Sequence, residues 1–345
     1  MIALWDTTGN AVVKALAAER RSAGGVTSGL ALTLIAVVDE EHARAAEAAA
    51  TIAAAAHPCR LLLVVRTSVT DQRSRLDAEV VVGGRLGPCE AVVMRMHGRL
   101  ALHAESVVEP LLAPDVPVVT WWLCRPPERI AYDPLGVVAG RRITDTAQAD
   151  DPIDALRVRA DDYAPGDTDL AWTRITPWRT LVASAFDTGR ATAVNATLTA
   201  PAADPSAALL GGWLSTRLGI TPALDPTGAA GGSAAGRDRG AAGLTAIRLN
   251  LSDGGTIDIV RENGNAVLSR TGLADRRLPL EDRPLGEELA EELRRLDPDQ
   301  PYAAALAAAT GRSGLNDRSP TRVHLWHDPA LAERPDRADV APVAS

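Results

Sequence analysis

Hydrophobic and polar positions follow two rhythms along this chain, and the change comes near residue 244. In the first part, Val12, Val13, Leu16 and Ala17 recur at helical spacing behind Thr7 and Thr8, which predicts a capped amphipathic helix. Leu30 to Val38 is an unbroken apolar run closed by Asp39 and Glu40, the pattern of a buried strand. His42 to Ala56 is alanine-rich and helix-favouring, Pro58 stops it, and Cys59 to Val65 returns as a second strand. A strand–helix–strand order of this length pairs its two strands in parallel. Asp77 to Val82 and Ala91 to Met96 read as further strands, with Gly83-Gly84 at the turn between them. His103 to Leu112 fits a helix, and Val116 to Trp122 is a last apolar strand. Residues 1–150 therefore read as one α/β domain.

Cys124 to Asp169 is rich in Pro, Asp and Gly and is expected to cross the surface with short helices. Thr176-Pro177 opens a helix to about Phe186, with Pro at its first position. Ala191 to Leu198 alternates as a strand, Pro205 to Leu218 is helical, and Gly228 to Gly243 has the composition of a flexible loop. From Leu244 the period becomes two. Leu244 to Leu251, Thr256 to Arg261 and Ala266 to Arg270 predict an antiparallel meander, turned at Asp253-Gly254-Gly255 and Asn263-Gly264. Glu287 to Leu296 and Tyr302 to Ala309 are closing helices. Residues 151–312 thus form an α+β domain that contains the tryptophan-rich junction, and 313–345, full of Arg, Asp and Pro, reads as a disordered tail.

Composition narrows the setting. The formal net charge of −8 argues against bulk binding to nucleic acid or an anionic membrane. No apolar run reaches the roughly 18 residues of a membrane span, and residues 1–14 do not resemble a secretory signal. A cytoplasmic protein is the expectation. Of the 36 basic residues only Lys14 is a lysine, a bias that lowers the functional weight of any single arginine. Cys59, Cys89 and Cys124 are widely spaced and read as reduced, packed thiols.

Catalytic patterns are missing. There is no glycine-rich dinucleotide loop, phosphate-binding loop, nucleophile elbow or zinc-binding His-Glu-x-x-His. No catalytic residue, metal ligand or cofactor is assigned. His324 and His327 have helical spacing but read as part of a solvated tail, His57 as a helix-end residue, and His97 and His103 as loop residues. Glu287, Glu288, Glu291 and Glu292 cluster where negative charge suits a helix start.

One segment stands apart. Seven of the 11 aromatic residues fall between Trp121 and Phe186. Trp121 and Trp122 end an apolar strand, and adjacent strand residues face opposite ways, so one ring should pack inward and the other look outward or toward the second domain. Asp169, Trp172, Arg174, Pro177, Trp178 and Arg179 gather around a helix start. Such a place can hold an anion, serve as an interface hot spot, or act as a hinge pinned by tryptophan packing.

At these residues the sequence resembles the glucose-6-phosphate dehydrogenase assembly protein family, also called OpcA. The matching strings are Ala56-His57-Pro58-Cys59-Arg60, Pro114 to Trp122, Arg142-Ile143-Thr144-Asp145 and Asp169 to Arg179. The resemblance implies a non-enzymatic partner of glucose-6-phosphate dehydrogenase that promotes its active oligomer in the oxidative pentose phosphate pathway. Some family members from photosynthetic organisms are redox-controlled through cysteines near their C-terminus, and this chain has none after Cys124. The alternative reading is an enzyme or sensor for a sugar phosphate or nucleotide.

Overall fold

The structure, a computed structural model, describes residues 1–23, 29–69, 71–83, 89–186, 191–226 and 243–327. It is mixed α/β, with one sheet built from the N-terminal part and a second in the C-terminal region. The loop expected at 228–243 lies almost wholly outside the described residues, as does the tail beyond His327.

The first part runs β1 (Ile2–Leu4), α1 (Gly9–Ser22), β2 (Leu32–Asp39), α2 (Ala43–Ala56), β3 (Cys59–Arg66), β4 (Arg75–Val82) and β5 (Glu90–His97). It continues through α3 (Glu105–Val108), β6 (Val118–Trp122), α4 (Pro134–Val138), β7 (Arg141–Thr144), α5 (Pro152–Asp162) and β8 (Asp167–Asp169). These strands form an eight-stranded sheet ordered β1-β4-β5-β3-β2-β6-β7-β8. From β5 to β8 all neighbours are parallel, while β4 and β1 add an antiparallel edge. Numbered along the chain, the parallel strands have the 3-2-1-4-5-6 order of a doubly wound sheet.

The unbroken apolar runs follow from burial on both faces. In β2, Leu34, Ala36 and Val38 enter the core beneath α2, while Ile35 and Val37 enter the opposite core beneath α1. Leu61, Leu63 and Val65 of β3 likewise oppose Leu62 and Val64.

The second part comprises α6 (Leu170–Arg174), α7 (Thr176–Phe186), β9 (Ala193–Thr199), α8 (Pro205–Leu218), β10 (Ala223–Asp225), β11 (Ala246–Leu251), β12 (Thr256–Glu262), β13 (Asn265–Arg270), β14 (Arg276–Pro279), α9 (Leu285–Leu293) and α10 (Gln300–Thr310). Its six-stranded sheet is ordered β10-β9-β11-β12-β13-β14. Asn263 and Gly264 both have positive φ, 49° and 75°, so the β12–β13 hairpin closes with the two-residue turn that this dipeptide favours. One face of the sheet, including Ile247, Leu249, Ile257 and Ile259, packs in the same core as α7, α8 and α10.

Several expectations require correction. The helix expected over His103 to Leu112 is broken into a 3-10 turn at Gly98–His103, α3, and a second 3-10 turn at Glu109–Leu111 that contains Pro110. Cys124 to Asp169 is no surface crossing, for it supplies β7, α5 and β8, which complete the first sheet. The sheet therefore continues past residue 150 to Asp169. Its last strands, of 4 and 3 residues, are too short to show a periodicity. The closing helix α9 also packs back on the first part, with Leu289 and Leu293 in the core beneath α2.

The chain after Gly311 is anchored as far as it is described. Leu315 is buried, and Arg318 Nη1 donates to the carbonyls of Ala160, Asp161 and Tyr163 at 2.9–3.1 Å, covering the C-terminus of α5. Arg322 pairs with Asp162 and Asp167. Trp326 stacks on His103 at 5.1 Å, and His327 stacks on Tyr132 at 4.5 Å. Residues 312–327 form a strap along the first part of the molecule.

Candidate functional site

Asp169 ends β8 and begins α6, and its side chain shapes the tryptophan-rich junction. Its carboxylate accepts bonds from Thr144 Oγ1 (2.7 Å), Thr146 N and Oγ1 (both 3.0 Å) and Ala171 N (2.9 Å). The last of these caps α6. Desolvation, reinforced by the nearby Asp145 charge, raises its pKa above the ordinary aspartate value.

One turn on, α6 presents Thr173 and Arg174 to α9. Arg174 binds Asp145 through two bonds of 2.7 and 2.8 Å, and Glu288 through two more of 2.8 and 2.7 Å. These carboxylates hold the guanidinium pKa above its usual value, against the desolvation that would lower it. Glu292, one turn beyond Glu288 on the same face, receives Arg141 Nη2 at 2.5 Å and Thr173 Oγ1 at 2.6 Å. Glu288 and Glu292 are thus buried partners of cations rather than a charge cluster serving only the helix start. Sequence reading missed both as site residues, together with Arg141, Asp145 and Asp299. Their i, i+4 spacing beside Leu289 and Leu293 was the available signal.

The rings lie inside. Trp121 joins the core beneath α2, which it shares with Leu289 and Leu293 of α9, and Trp122 the opposite core, so neither ring looks outward and Trp121 takes the other alternative, toward the second part. A parallel sheet with both faces covered leaves no outward side there. Trp122 Nε1 donates to Asp133, which Arg66 holds through two bonds. Trp172 is 1% exposed, and its Nε1 donates to Asp299 at 2.9 Å. The Arg179 guanidinium lies 3.5 Å from the Trp172 ring centroid, a close cation–π contact. Desolvation lowers the Arg179 pKa to about 10, and its Nη2 donates to Thr176 Oγ1. Trp178 is buried in the core of the second sheet, and Pro177 is half-buried at the start of α7.

The eight sequence candidates therefore do not form one cluster. Asp169, Trp172, Arg174 and Arg179 belong to a linked junction, Trp121 and Trp122 lie in two separate cores, and Trp178 lies in a third, which Trp172 shares.

A doubly wound sheet offers a crevice at the carboxyl ends of the strands where its order reverses, here β2 and β6. In nucleotide-binding versions a glycine-rich turn leads into a helix whose N-terminus meets phosphate. Here that turn reads Asp39-Glu40-Glu41-His42. Asp39 Oδ1 accepts from His42 N at 3.1 Å and lies 2.6 Å from His42 Nδ1, placing the protein's own carboxylate at the start of α2. Burial opposes ionisation of Asp39, yet the His42 bonds leave its pKa lowered. Glu40 of this turn pairs with Arg95, so its acids are engaged within the protein. Among the described residues, no group of His, Cys, Asp and Glu is arranged to hold a metal, and no helix is long and apolar enough to cross a membrane.

Comparison with known proteins adds two adjoining family signatures. Residues 50–161 match the glucose-6-phosphate dehydrogenase subunit N-terminal domain and residues 165–306 its C-terminal domain. The chain belongs to the OpcA family. It is 29% identical over 189 residues to the OxPP cycle protein OpcA of Synechococcus elongatus, covering 50% of this chain and 42% of that one. To the protein of the same name from a Synechocystis species it is 27% identical over 143 residues, covering 39% and 30%. The matched segments thus span less than half of either relative. Among solved structures, a 3-ketoreductase mutant from Actinomadura kijaniata with TDP-benzene and NADP aligns over 86% of this chain and 100% of that one. Its TM-score is 0.38 at 11% identity, a likeness too weak to bear on fold or function.

The boundary between the two OpcA signatures falls between residues 161 and 165, at the end of α5. The Arg174 network joins side chains from both sides of that boundary.

Proposed function

We propose that this OpcA-family protein acts as a non-catalytic partner of glucose-6-phosphate dehydrogenase in the cytoplasm, promoting the enzyme's active oligomer in the oxidative pentose phosphate pathway. The observation that carries this reading is the succession of two domains named for that dehydrogenase across residues 50–306. A partner shifts an enzyme between states only through differential affinity for them. The buried ion pairs between α6, α9 and β7 fix the two parts of this protein in one arrangement, so that it can present a preorganised surface. In this reading Trp121, Trp122, Asp169, Trp172, Arg174, Pro177, Trp178 and Arg179 frame that surface from within rather than touching the enzyme.

The test is direct. Purified dehydrogenase, titrated with this protein, should move to a larger species in size-exclusion chromatography and show a changed KM or kcat. An enzyme whose oligomer and kinetics stay constant at saturation sinks the proposal. Calorimetry with sugar phosphates and nicotinamide nucleotides, run without the dehydrogenase, should give no heat. Saturable heat there would favour the sensor alternative.

A further inference from the structure

Cys59 opens β3, and Cys89 comes immediately before β5. The two strands are parallel neighbours in which Arg60 stands opposite Glu90, and Arg60 Nε binds Glu90 Oε2 at 2.7 Å. One residue back, the same register sets Cys59 opposite Cys89. Neighbouring strands run about 4.8 Å apart, inside the Cα separation of roughly 4.4–6.8 Å that a disulfide spans. Both side chains enter the core beneath α2, at 0% and 1% exposure, so the thiols share one face of the sheet.

The two protons have separate acceptors. Cys89 Sγ donates to the carbonyl of Ala54 at 3.3 Å. That carbonyl would take its helical bond from residue 58, which is a proline without an N–H. The Cys59 thiol donates in turn to Cys89 Sγ. This bond, with burial, raises the pKa of Cys59, and it lowers that of Cys89 to about 6 against burial. Cys89 is therefore the attacking sulfur and Cys59 the resolving one. Cys124 follows the carboxyl end of β6, about 20 Å along the strands from the pair, and cannot join it.

We propose that Cys59 and Cys89 form a reversible dithiol–disulfide site, closed by hydrogen peroxide and reopened by a dithiol reductant. The Cys89 thiolate attacks one peroxide oxygen and the O–O bond breaks. That oxygen stays on sulfur as a sulfenic acid, and the other takes up a proton and leaves as water. The Cys59 sulfur then attacks the sulfenic sulfur. The S–S bond forms, the S–O bond breaks, and the oxygen leaves as a second water with the Cys59 proton. Two thiols are oxidised and one peroxide is reduced. Closure removes the donor from Ala54 at the end of α2, where His57 Nε2 also bonds the Ala290 carbonyl of α9 at 2.8 Å. The inference stands apart from any partner enzyme.

The test uses the full chain, reduced, treated with hydrogen peroxide and then alkylated in denaturant. Thiols open to alkylation should fall from three to one, the one left being Cys124. Peptide mass spectrometry should find Cys59 joined to Cys89, and dithiothreitol should restore all three thiols. Cys124→Ser should close in the same way. Cys59→Ser, which keeps a donor to Cys89, should instead hold a sulfenic acid that dimedone traps. Wild-type protein that keeps three alkylatable thiols, or that joins Cys124 in place of either partner, overturns the proposal whether or not the variants fold. Overoxidation of Cys89 with no Cys59–Cys89 peptide overturns it equally.

Discussion

Arg174 and Asp145 stand 29 residues apart in sequence and meet through two nearly parallel bonds of 2.7 and 2.8 Å. The Asp145 side chain has no solvent exposure, and Arg174 is its ion-pair partner. Breaking a buried pair on one side leaves an uncompensated charge, typically at a cost of about 3–5 kcal/mol. Arg174→Met should destabilise the protein by that order in urea unfolding. Arg174→Lys should recover little, because an ammonium cannot reproduce two forked contacts at once. A lysine variant as stable as the wild type would show that charge alone matters here.

Trp172 looks like an interface anchor in the sequence, yet its ring is sealed between Arg179 and Tyr302. Its truncation should therefore register in folding before it registers in binding. Trp172→Ala should cost about 3–5 kcal/mol. Trp172→Phe keeps a ring beneath Arg179 but loses the bond to Asp299, and should cost about 1–3 kcal/mol. Thermal unfolding followed by circular dichroism separates the two. If Trp172→Ala unfolds like the wild type but fails to bind the dehydrogenase, the ring is a partner contact.

Gly212 sits where α8 crosses α10, and a Cβ there would fall 2.1 Å from the Ala305 carbonyl oxygen. That obstacle is backbone, so the helices would have to separate. Gly212→Ala should destabilise by about 1–3 kcal/mol or more, although alanine favours helix by about 1 kcal/mol over glycine. A gain in Tm would mean that the crossing is loose.

The parts legible in the sequence were those whose burial leaves a long pattern. The middles of β2 and β3, residues 34–38 and 61–65, are apolar because both faces are covered, and the Asn263-Gly264 turn carries its own conformational preference. β7 and β8 were missed because strands of 4 and 3 residues contain too few positions to show a period. Arg141 and Arg142, at the start of β7, look like surface residues by type but are buried through pairing with Glu292 and Asp167. The same holds for Glu288 and Glu292. Which arginine neutralises which glutamate is decided by contacts more than 100 residues apart, and no local window contains them.

Asp133 should make stability fall in acid. Burial opposes its ionisation, but the Arg66 charge and the bonds from Arg66 and Trp122 outweigh this and hold its pKa below the ordinary 3.8. A carboxyl lowered by folding contributes its full stability above the unfolded pKa and loses it as the pH drops through the folded value. Asp169 has the opposite sign, since its raised pKa makes folding more favourable as the pH falls toward 3.8. The wild type minus Asp133→Asn difference removes the Asp169 contribution. It should be about 1.5–3 kcal/mol at neutral pH and shrink below pH 3.8. A difference that is flat from pH 7 to pH 3 would contradict the assignment.

Arg322 decides whether the strap stays docked. Its side chain is 7% exposed and bridges Asp162 and Asp167, whereas Trp326 is 55% exposed and holds only the edge of the surface through His103. Losing the bridge leaves Asp167 with Arg142 and Asp162 with Arg129 at 3.9 Å as their remaining cations and frees the strap from both, while losing the stack forfeits about 0.5–1.5 kcal/mol. Arg322→Ala should therefore speed chymotryptic cleavage near Leu325 by about tenfold or more, because cleavage tracks the population of the undocked strap. Trp326→Ala removes one cleavage position and should accelerate cutting at Leu325 far less. Equal rates in the two variants would mean that stacking, not the buried ion pairs, holds residues 312–327 in place.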